Sequence, residues 1–361
     1  MPRNIIKSDN AIVAVSTGTE AFSTVTEDMN LFNAVQNTSF AIAIEHQPSK
    51  QIGTQDFSLN DVFIQPDVEL TFSYYPEPKL ENEVHGNFIK TVDSYNNSIQ
   101  AFSGTLENNT NFYLLNNPDQ GLDTLNLINL NGAATNLNGW ESASFGNCFL
   151  TSYGLTYGVD SLPTVTTSYI CSNMKFEGLT GTSMVPPSVN LESGNAKDVG
   201  RARFAFVTGT KSPVLVNPKN SDSTITLQNL QAGGQNLSGI HFVQSLDLSI
   251  SLQRTSSYGL GSDYAYNRKA QMPAQGTFNV SSLVSGYNDG TISGILANET
   301  DYTFDLVLDG SGKDMSYNID GAKLENFSYS LPVNGIMTFN ASFTFEVTEK
   351  RGLRLSGTYY T

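Results

Sequence analysis

The sequence is poor in charged residues and in cysteine, histidine and tryptophan. Only 15% of its 361 residues are Asp, Glu, Lys or Arg, and it contains 2 Cys, 3 His and 1 Trp. A soluble domain usually has a charged fraction of about 25%. Two cysteines cannot form the disulfide framework of a small secreted domain, and no two histidines have the spacing of zinc ligands.

Long apolar runs are also absent. No segment approaches the roughly 18 consecutive apolar residues that a membrane-spanning helix needs. The N-terminal apolar run, residues 11–15, is short and has polar neighbours, so it does not resemble the apolar core of a secretory signal peptide. We therefore expect no membrane segment and a protein that is made and kept in the cytoplasm.

Positive charge is scarce. The chain has 19 Lys and Arg against 34 Asp and Glu, which gives a net charge of −15 at neutral pH. A phosphate backbone would be repelled everywhere except at a local basic patch. The charge thus argues against general nucleic-acid binding.

The abundant residues favour strands and tight turns. The chain contains 30 Gly, 21 Phe and 16 Tyr, and Asn, Ser and Thr separate its short apolar segments. Helix signals are few: Thr26–Val35 predicts one or two helical turns with Thr26 as the cap, and Thr224–Ala232 fits either a strand or a short helix. We predict a mainly β fold with short helices.

A strand–turn–strand pattern occurs twice. In the second occurrence, apolar residues alternate along 327–331 and 339–345 around an Asn334-Gly335 turn, which is a strong hairpin signal. A similar pattern spans 149–170, with Leu150 in the place of Leu324.

Another pair of segments repeats in the same order. Residues 39–44 match 245–250, and each segment leads through a glycine-containing loop to a proline and a new strand. We therefore predict two tandem copies of a small β-sandwich or barrel. The Pro186-Pro187 pair marks the boundary, which gives domains at 1–185 and 186–361, with an insertion in the first at about 107–139.

The two cysteines are predicted to face each other. The midpoint of Cys148 and Cys171 falls inside the Gly158–Ser161 turn, so the two residues lie opposite one another across the first hairpin. A disulfide between adjacent strands is sterically allowed, although often strained. In a reducing cytoplasm, two packed thiols are the favoured interpretation.

The most distinctive block spans residues 243–273. An alternating strand leads to an arginine, a glycine-aromatic loop, an Arg-Lys pair and a proline. An ordinary surface loop and an arm that docks on a neighbouring copy both fit this pattern, and Arg and Tyr are enriched at such contacts. The candidate interface residues are Arg254, Tyr258, Leu260, Tyr264, Arg268 and Lys269.

No catalytic or nucleotide-binding pattern stands out. Gly310–Lys313 resembles the end of a phosphate loop, but Val307 replaces the first glycine and Asp314 replaces the magnesium-binding Ser or Thr. We therefore predict that the chain is not an enzyme and binds no cofactor or metal.

The 243–273 block and the closing hairpin from Gly321 to Phe343 resemble segments of the tail tube protein family of tailed bacteriophages. The resemblance covers about 90 residues of the second copy well and the first copy weakly. The first copy lacks the Arg-Lys pair and has Asn60-Asp61 near that place.

The resemblance implies an assembly. Tube domains of that family form six-membered rings whose inner strands close a β-barrel channel, and rings stack through a long loop. Some members carry two tube domains per chain and form trimeric, pseudo-hexameric rings, which the predicted duplication fits. Closing a barrel also removes exposed strand edges. Loops 47–66 and 252–273 are the stacking candidates, and the barrel hairpins carry Tyr153, Tyr157, Val165, Tyr169, Phe327, Tyr329, Phe339 and Phe343.

The resemblance also implies partners and a location. The protein would contact copies of itself and other tail proteins, such as the tape measure, distal tail, terminator and, in a contractile tail, sheath proteins. It would reside in the virion after assembly in the host cytoplasm. DNA would pass through an acidic lumen without sticking.

Two other functions fit a β fold of this kind. One is a distal tail, baseplate or tail-completion ring. The other is a carbohydrate-binding or adhesin module that uses an aromatic platform of Tyr74, Tyr75, Tyr264 and Tyr266. The formation of rings would distinguish the tail tube and the tail ring from the carbohydrate-binding or adhesin module.

Overall fold

Short polar linkers and alternating apolar residues produce a chain built almost entirely of β-strands. The computed structural model describes residues 11–16, 28–31, 35–42, 47–49, 59–61, 67–77, 81, 88–89, 110–116, 140–178, 183–184, 202–203, 205–206, 223–228, 231–232, 235–236, 241–257, 267–284, 301–310, 313–348 and 352–357. All statements about structure below concern these residues.

The strands in chain order are β1 (Ala11–Ser16), β2 (Asp28–Leu31), β3 (Val35–Ile42), β4 (Gln47–Ser49), β5 (Leu59–Asp61), β6 (Val68–Tyr74), β7 (Phe88–Ile89), β8 (Thr110–Asn116), β9 (Glu141–Gly158), β10 (Thr164–Gly178), β11 (Ser183–Met184), β12 (Ala202–Arg203), β13 (Ala205–Phe206), β14 (Ser223–Gln228), β15 (Gln231–Ala232), β16 (Gln235–Asn236), β17 (His241–Ser251), β18 (Arg254–Ser257), β19 (Asn267–Ala270), β20 (Ala274–Val284), β21 (Tyr302–Gly310), β22 (Lys313–Ser330), β23 (Thr338–Val347) and β24 (Leu353–Gly357). The predicted mainly β fold class is confirmed, and the pairing is predominantly antiparallel.

Both predicted hairpins form. Strand β9 pairs antiparallel with β10, and β22 pairs antiparallel with β23. In the second hairpin the chain turns where Gly335 N–H donates to the Pro332 carbonyl oxygen at 3.0 Å, and Asn334 takes a left-handed φ of 61°. The Asn-Gly signal thus marks the turn correctly, although Asn334 alone has the positive φ angle.

Two runs of six strands have the same order of neighbours. In the first run the order is β3, β6, β10, β9, β8 and β1. In the second it is β17, β20, β23, β22, β21 and β14. The runs join where β9 pairs antiparallel with β17. This intrachain junction makes one continuous sheet from the two runs.

The registers of the two runs also correspond. A row of directly paired residues crosses the first run as Phe40, Leu70, Tyr169 and Leu150. The matching row in the second run is Leu248, Phe278, Phe343 and Leu324. Phe40 thus corresponds to Leu248, two residues from the Leu246 that the sequence alignment gives. The alternation of strand side chains has a period of two, so either alignment puts the same face inward.

Irregularities recur at matching places. The register shifts beside Tyr169 in the first hairpin and beside Phe343 in the second. Further along β9 and β22, Asn147 and Gly321 both have positive φ angles, 54° and 75°. Asn and Gly are the residues that adopt this conformation at the smallest cost. The long strands β9 and β22 are therefore irregular at the same two places, a register shift and a residue with a positive φ angle.

These irregularities allow each run to fold over its own apolar face. Phe112 of β8 lies 4.7 Å from the Tyr169 ring of β10, measured between centroids. In the second run Phe304 of β21 lies 4.7 Å from Phe343 of β23. All four rings are at most 1% exposed. Each run thus forms a sandwich-like pair of layers with an aromatic core.

One sequence prediction is wrong in detail. The described residues of Thr26–Val35 are not helical, because Asp28–Leu31 forms β2, which pairs with β1, and β3 begins at Val35. The insertion expected at about 107–139 stays a prediction; its described residues form β8, which pairs with both β1 and β9 and buries Phe112. Residues 117–139 lie outside the described residues. Of the two options for 224–232, the strand is correct.

Candidate assembly surfaces

The base of the predicted docking arm is fixed inside the chain. Strands β18 and β19 pair from Arg254↔Ala270 to Ser257↔Asn267. Arg254 Nε donates to the Leu150 carbonyl oxygen at 2.6 Å, and its Nη1 donates to the Arg268 carbonyl oxygen at 2.8 Å. Its guanidinium carbon lies 5.3 Å from the centroid of the Phe149 ring, within cation–π distance. Burial lowers the pKa of Arg254 to about 10, with a smaller contribution from the nearby Arg268 cation.

Arg268 forms an ion pair across the junction of the two runs. Its guanidinium makes two hydrogen bonds with the Asp67 carboxylate, one of 3.1 Å from Nη1 to Oδ2 and a second from Nη2 to Oδ1. Arg268 is 2% exposed to solvent. Two parallel N–H···O bonds fix both distance and orientation. Arg268 therefore anchors β19 to the start of β6.

The rest of the predicted arm is only partly described. Lys269 lies on β19 opposite Thr255 and is exposed. Tyr258, Leu260 and Tyr264 lie outside the described residues. The prediction that this arm docks on a neighbouring copy stays a prediction, but the two arginine side chains already have acceptors within their own chain. Asp67 gave no signal in the sequence, because it lies 201 residues from its partner.

Most of the predicted hairpin residues belong to the core. Side chains that are at most 5% exposed include Tyr153, Tyr157, Val165, Tyr169, Phe339 and Phe343. The other two, Phe327 and Tyr329, are 36% and 37% exposed. Tyr329 also packs against Phe339 at a centroid distance of 5.1 Å. The two hairpins thus differ in how far their apolar faces are covered.

A buried group of tyrosines lies beneath the junction. The hydroxyl oxygens of Tyr153 and Tyr317 are 3.0 Å apart, and the Tyr74 hydroxyl donates to Glu81 Oε1 at 2.7 Å. Burial raises the pKa of these three tyrosines and of Tyr169 well above 10, and the nearby Glu81 carboxylate raises each of them further. The hydroxyls therefore remain protonated donors in the folded protein.

The cysteines face each other as predicted. Cys148 pairs directly with Cys171 across the first hairpin, and both are fully buried. Their Cα atoms are 3.8 Å apart, and a disulfide joins the sulfur atoms. The favoured interpretation, two packed thiols, is therefore wrong for this structure, because direct cross-strand pairing brings both sulfurs within bonding reach.

Opposite the core, the joined sheet carries a continuous surface of small polar side chains, which we name the polar face. One row of paired residues on it runs Ser73, Thr166, Gly154, Ser249, Thr277 and Thr344. The adjacent row contains Thr156, Asp247, Asn279 and Ser342. A shallow depression beside the junction is lined largely by the same kinds of side chain, including Ser245, Ser281 and Asn340. This surface crosses from one run to the other without a break.

The charge of the polar face is negative. Its carboxylates are Glu69, Asp247, Glu325 and Glu346, which stand on four different strands. Lys323, opposite Thr344, forms an ion pair with Asp301, with 2.6 Å between Nζ and Oδ1. The buried Arg268 is neutralised by Asp67, and Arg254 packs on Phe149 at the margin of the face. The potential over the face is therefore one that repels anions.

Two strand edges lie at the ends of the layer that contains the junction, which runs from β3 through β9 and β17 to β22. Within the described part of the chain, β3 pairs only with β6, and β22 beyond Ala322 pairs only with β23. Exposed apolar side chains lie along or beside both edges: Phe40, Ile42, Phe327, Tyr329, Leu331 and Val333. Exposed edges with apolar residues are a template for pairing with another strand.

The proposed sugar platform is only partly described. Tyr74 is fully buried and so offers no exposed ring, Tyr75 is half-buried, and Tyr264 and Tyr266 lie outside the described residues. Within the same described part, no group of three His, Cys, Asp or Glu side chains could hold a metal ion, and no helix is long and apolar enough to cross a membrane. The sequence matches no protein-family model and no curated protein.

Proposed function

We propose that this protein is a virion structural subunit that forms the tail tube of a bacteriophage. Three copies would make a pseudo-hexameric ring, and stacked rings would form the channel through which the genome is ejected. The proposal combines the sequence resemblance of residues 243–273 and 321–343 with the architecture of the sheet. It includes the tandem duplication, with copies at 1–185 and 186–361.

The observation that carries the proposal is the repeated strand order. Two six-strand runs have matching registers, matching register shifts and matching left-handed residues, and they join edge to edge. When two similar units join edge to edge, one edge of each unit is used and the other stays open. Here the open edges are those of β3 and β22. Head-to-tail repetition of such a joint generates a ring when the rotation closes. A monomeric binding module has no need of this arrangement.

The polar face supports a lumen lining. Its side chains are short, so they keep a channel wide, and its carboxylates repel a passing phosphate backbone. The opposite face is filled by the aromatic core. In a closed barrel the polar face would therefore turn inward, with the sandwich layers of β8, β1, β21 and β14 outside.

The paired arms support the stacking role. Strands β4 and β5 form one short ribbon and β18 and β19 form another, each in the loop that connects the first two strands of its run. Arg254 and Arg268 hold the base of the second ribbon. The ribbons would meet the adjacent ring, and at the tube ends they would meet the distal tail and terminator proteins.

Negative-stain electron microscopy and light scattering of the purified full chain test the proposal. We expect rings with a mass of three subunits, stacked hollow tubes, or both. A stable monomer at high concentration that binds glycans would contradict it and favour the binding module. Rings that never stack, and that cap the end of a tail, would favour a distal tail or completion ring instead.

A further inference from the structure

The intrachain junction provides a template for the contact between subunits. In that junction β17 pairs with β9 in the register Leu248↔Leu155 and Ile250↔Tyr153. By the matching residue rows, β3 corresponds to β17, and β22 corresponds to β9. The junction thus joins an edge of the β17 kind to an edge of the β9 kind, and β3 and β22 are the second examples of these two kinds. A chain therefore carries one spare edge of each kind.

We propose that β3 of one chain pairs antiparallel with β22 of a second copy, in the register Phe40↔Tyr329, Ile42↔Phe327 and Ser39↔Ser330. This inference rests on the proposed function, and it specifies which residues make the ring. The register follows by placing Phe40 and Ile42 where Leu248 and Ile250 stand. Phe327 and Tyr329 take the places of Tyr153 and Leu155.

The exposure of these side chains supports the pairing. Leu248, Ile250, Tyr153 and Leu155 are all at most 1% exposed in the intrachain junction. Their counterparts Phe40, Ile42, Phe327 and Tyr329 are 42%, 44%, 36% and 37% exposed. The apolar surface of both edges is therefore exposed only where the neighbouring run is missing.

The hairpin tips show the same difference. Val159 N–H in the first tip donates to the Gln244 carbonyl oxygen at 2.9 Å, just before β17 begins its pairing with β9. Val159 is 38% exposed, whereas Val333 at the corresponding place is 94% exposed. Leu331, which takes the place of the buried Tyr157, is 66% exposed. A second copy of β3 would cover the second tip as β17 covers the first.

The two contacts would not be identical. The intrachain junction is closed by the Arg268–Asp67 ion pair. At the corresponding places the sequence has Asn60 and Gln275, which are uncharged. The contact between chains would therefore rely on backbone pairing and apolar burial, without the arginine anchor. This allows rings to form from folded subunits whose internal junction is already fixed.

Cysteine cross-linking tests the register directly. The matched pairs are Ala41→Cys with Ser328→Cys and Ser39→Cys with Ser330→Cys, all at exposed positions. The mismatched pair is Ser39→Cys with Asn326→Cys, in which the two residues would stand about 14 Å apart along the strands. A disulfide cannot span more than about 7 Å between Cα atoms. The native disulfide is buried within one chain and serves as an internal reference.

We expect both matched pairs to give covalent dimers and trimers on oxidation, while the mismatched pair and the single variants stay monomeric in a denaturing gel. Rings seen by microscopy without matched cross-links would overturn the register but leave the proposed function intact. Cross-linked open chains without rings would support the register and contradict the tube. Monomers alone would overturn both.

A charge series provides a second measurement. Ile42→Asp or Phe327→Asp should abolish rings in light scattering, because each places an unpaired carboxylate in the apolar contact. Combining Ile42→Lys with Phe327→Asp should restore at least part of the assembly, since the two residues would be direct partners. Val159→Asp, at a similarly exposed apolar residue of the other hairpin, should leave assembly unchanged. Failure of the double variant to recover while both single variants fold would contradict the pairing.

Discussion

At the residue scale, the most specific contact is the ion pair that joins the two runs. Arg268 is buried and holds the half-exposed Asp67 through two hydrogen bonds. A buried cation that loses its partner is not compensated by water, whereas an exposed pair contributes little. The contribution of the junction to the free energy of unfolding should therefore depend strongly on the Asp67 carboxylate.

Asp67→Ala should lower the free energy of unfolding by about 1–3 kcal/mol, because the buried Arg268 guanidinium loses its carboxylate partner and keeps only the neutral Ser256 hydroxyl as a side-chain acceptor. The matched control is Lys175→Met, which removes the exposed pair with Glu177 and should cost less than about 1 kcal/mol. Urea denaturation followed by circular dichroism measures both. Equal losses in the two variants would contradict the role assigned to Arg268.

The buried tyrosines predict how stability changes with pH. The pKa of each is raised well above 10 in the folded chain, so the folded state keeps protons that the unfolded state releases: Tyr74, Tyr153, Tyr169 and Tyr317. Their contribution to the free energy of unfolding is fully present below pH 10. It is lost as the pH rises above 10, by about 1.4 kcal/mol per tyrosine and pH unit. Arg254, with its pKa lowered to about 10, contributes in the opposite direction, but it is one group against four.

Absorbance at 295 nm during an alkaline titration checks this expectation. Tyr74, Tyr153, Tyr169 and Tyr317 should ionise only together with the loss of the circular dichroism signal. Complete ionisation of all tyrosines near pH 10 with the fold intact would show that the hydroxyl cluster is open to solvent. Tyr153→Phe should also lose roughly 1 kcal/mol of stability, because it removes the hydrogen bond to Tyr317.

At the element scale, the bend in the long hairpin strand depends on one left-handed residue. Gly321 has a φ of 75°, and a Cβ there would meet no atom within 4 Å. The cost of a substitution is therefore conformational rather than steric against neighbours. Asn147 occupies the matching place in β9 with a φ of 54°, which shows that asparagine is accepted in this bend.

Gly321→Asn should change the free energy of unfolding by less than about 1 kcal/mol, while Gly321→Val should lower it by about 1–2 kcal/mol or more. Asparagine adopts a positive φ at small cost and a β-branched residue does not, so the difference between the two variants reports how strongly this position requires the left-handed conformation. Denaturant midpoints provide the measurement. If valine were as well tolerated as asparagine, the bend would not need a left-handed residue.

At the scale of the whole molecule, the negative polar face should determine whether the proposed tube retains DNA. Replacing Glu69, Asp247 and Glu346 by lysine changes its charge by six units in each subunit. We expect the variant to retain duplex DNA in low salt, with a steep loss of binding as salt increases, whereas the native protein retains none. The control replaces Asp160, Glu177 and Asp305 by lysine, which produces the same net charge away from the polar face. Equal DNA retention by both variants would mean that DNA binding depends on the net charge of the protein and not on the charge of the polar face.

Local sequence signals were enough to predict the two hairpins and the faces that their strands turn inward. Alternation along 149–170 and 323–345, the turn at Asn334 and the midpoint of Cys148 and Cys171 were sufficient, because these signals are local and a strand's period of two fixes which side chains share a face. Composition alone was enough for the mainly β class. The helix predicted at Thr26–Val35 failed because pairing with β1 overrode a weak local preference.

The long-range relations depend on the folded chain. The Asp67–Arg268 pair and the β9–β17 junction join residues far apart in the sequence, and Tyr74 is buried by the assembled core. Strand pairing between distant segments depends on backbone hydrogen bonds that every residue type except proline can make, so no residue pattern identifies the partner strand in advance. The abundance of Asn, Ser and Thr does not tell where these residues lie; the pairing of the described strands brings many of them onto one face and leaves apolar side chains along its two ends.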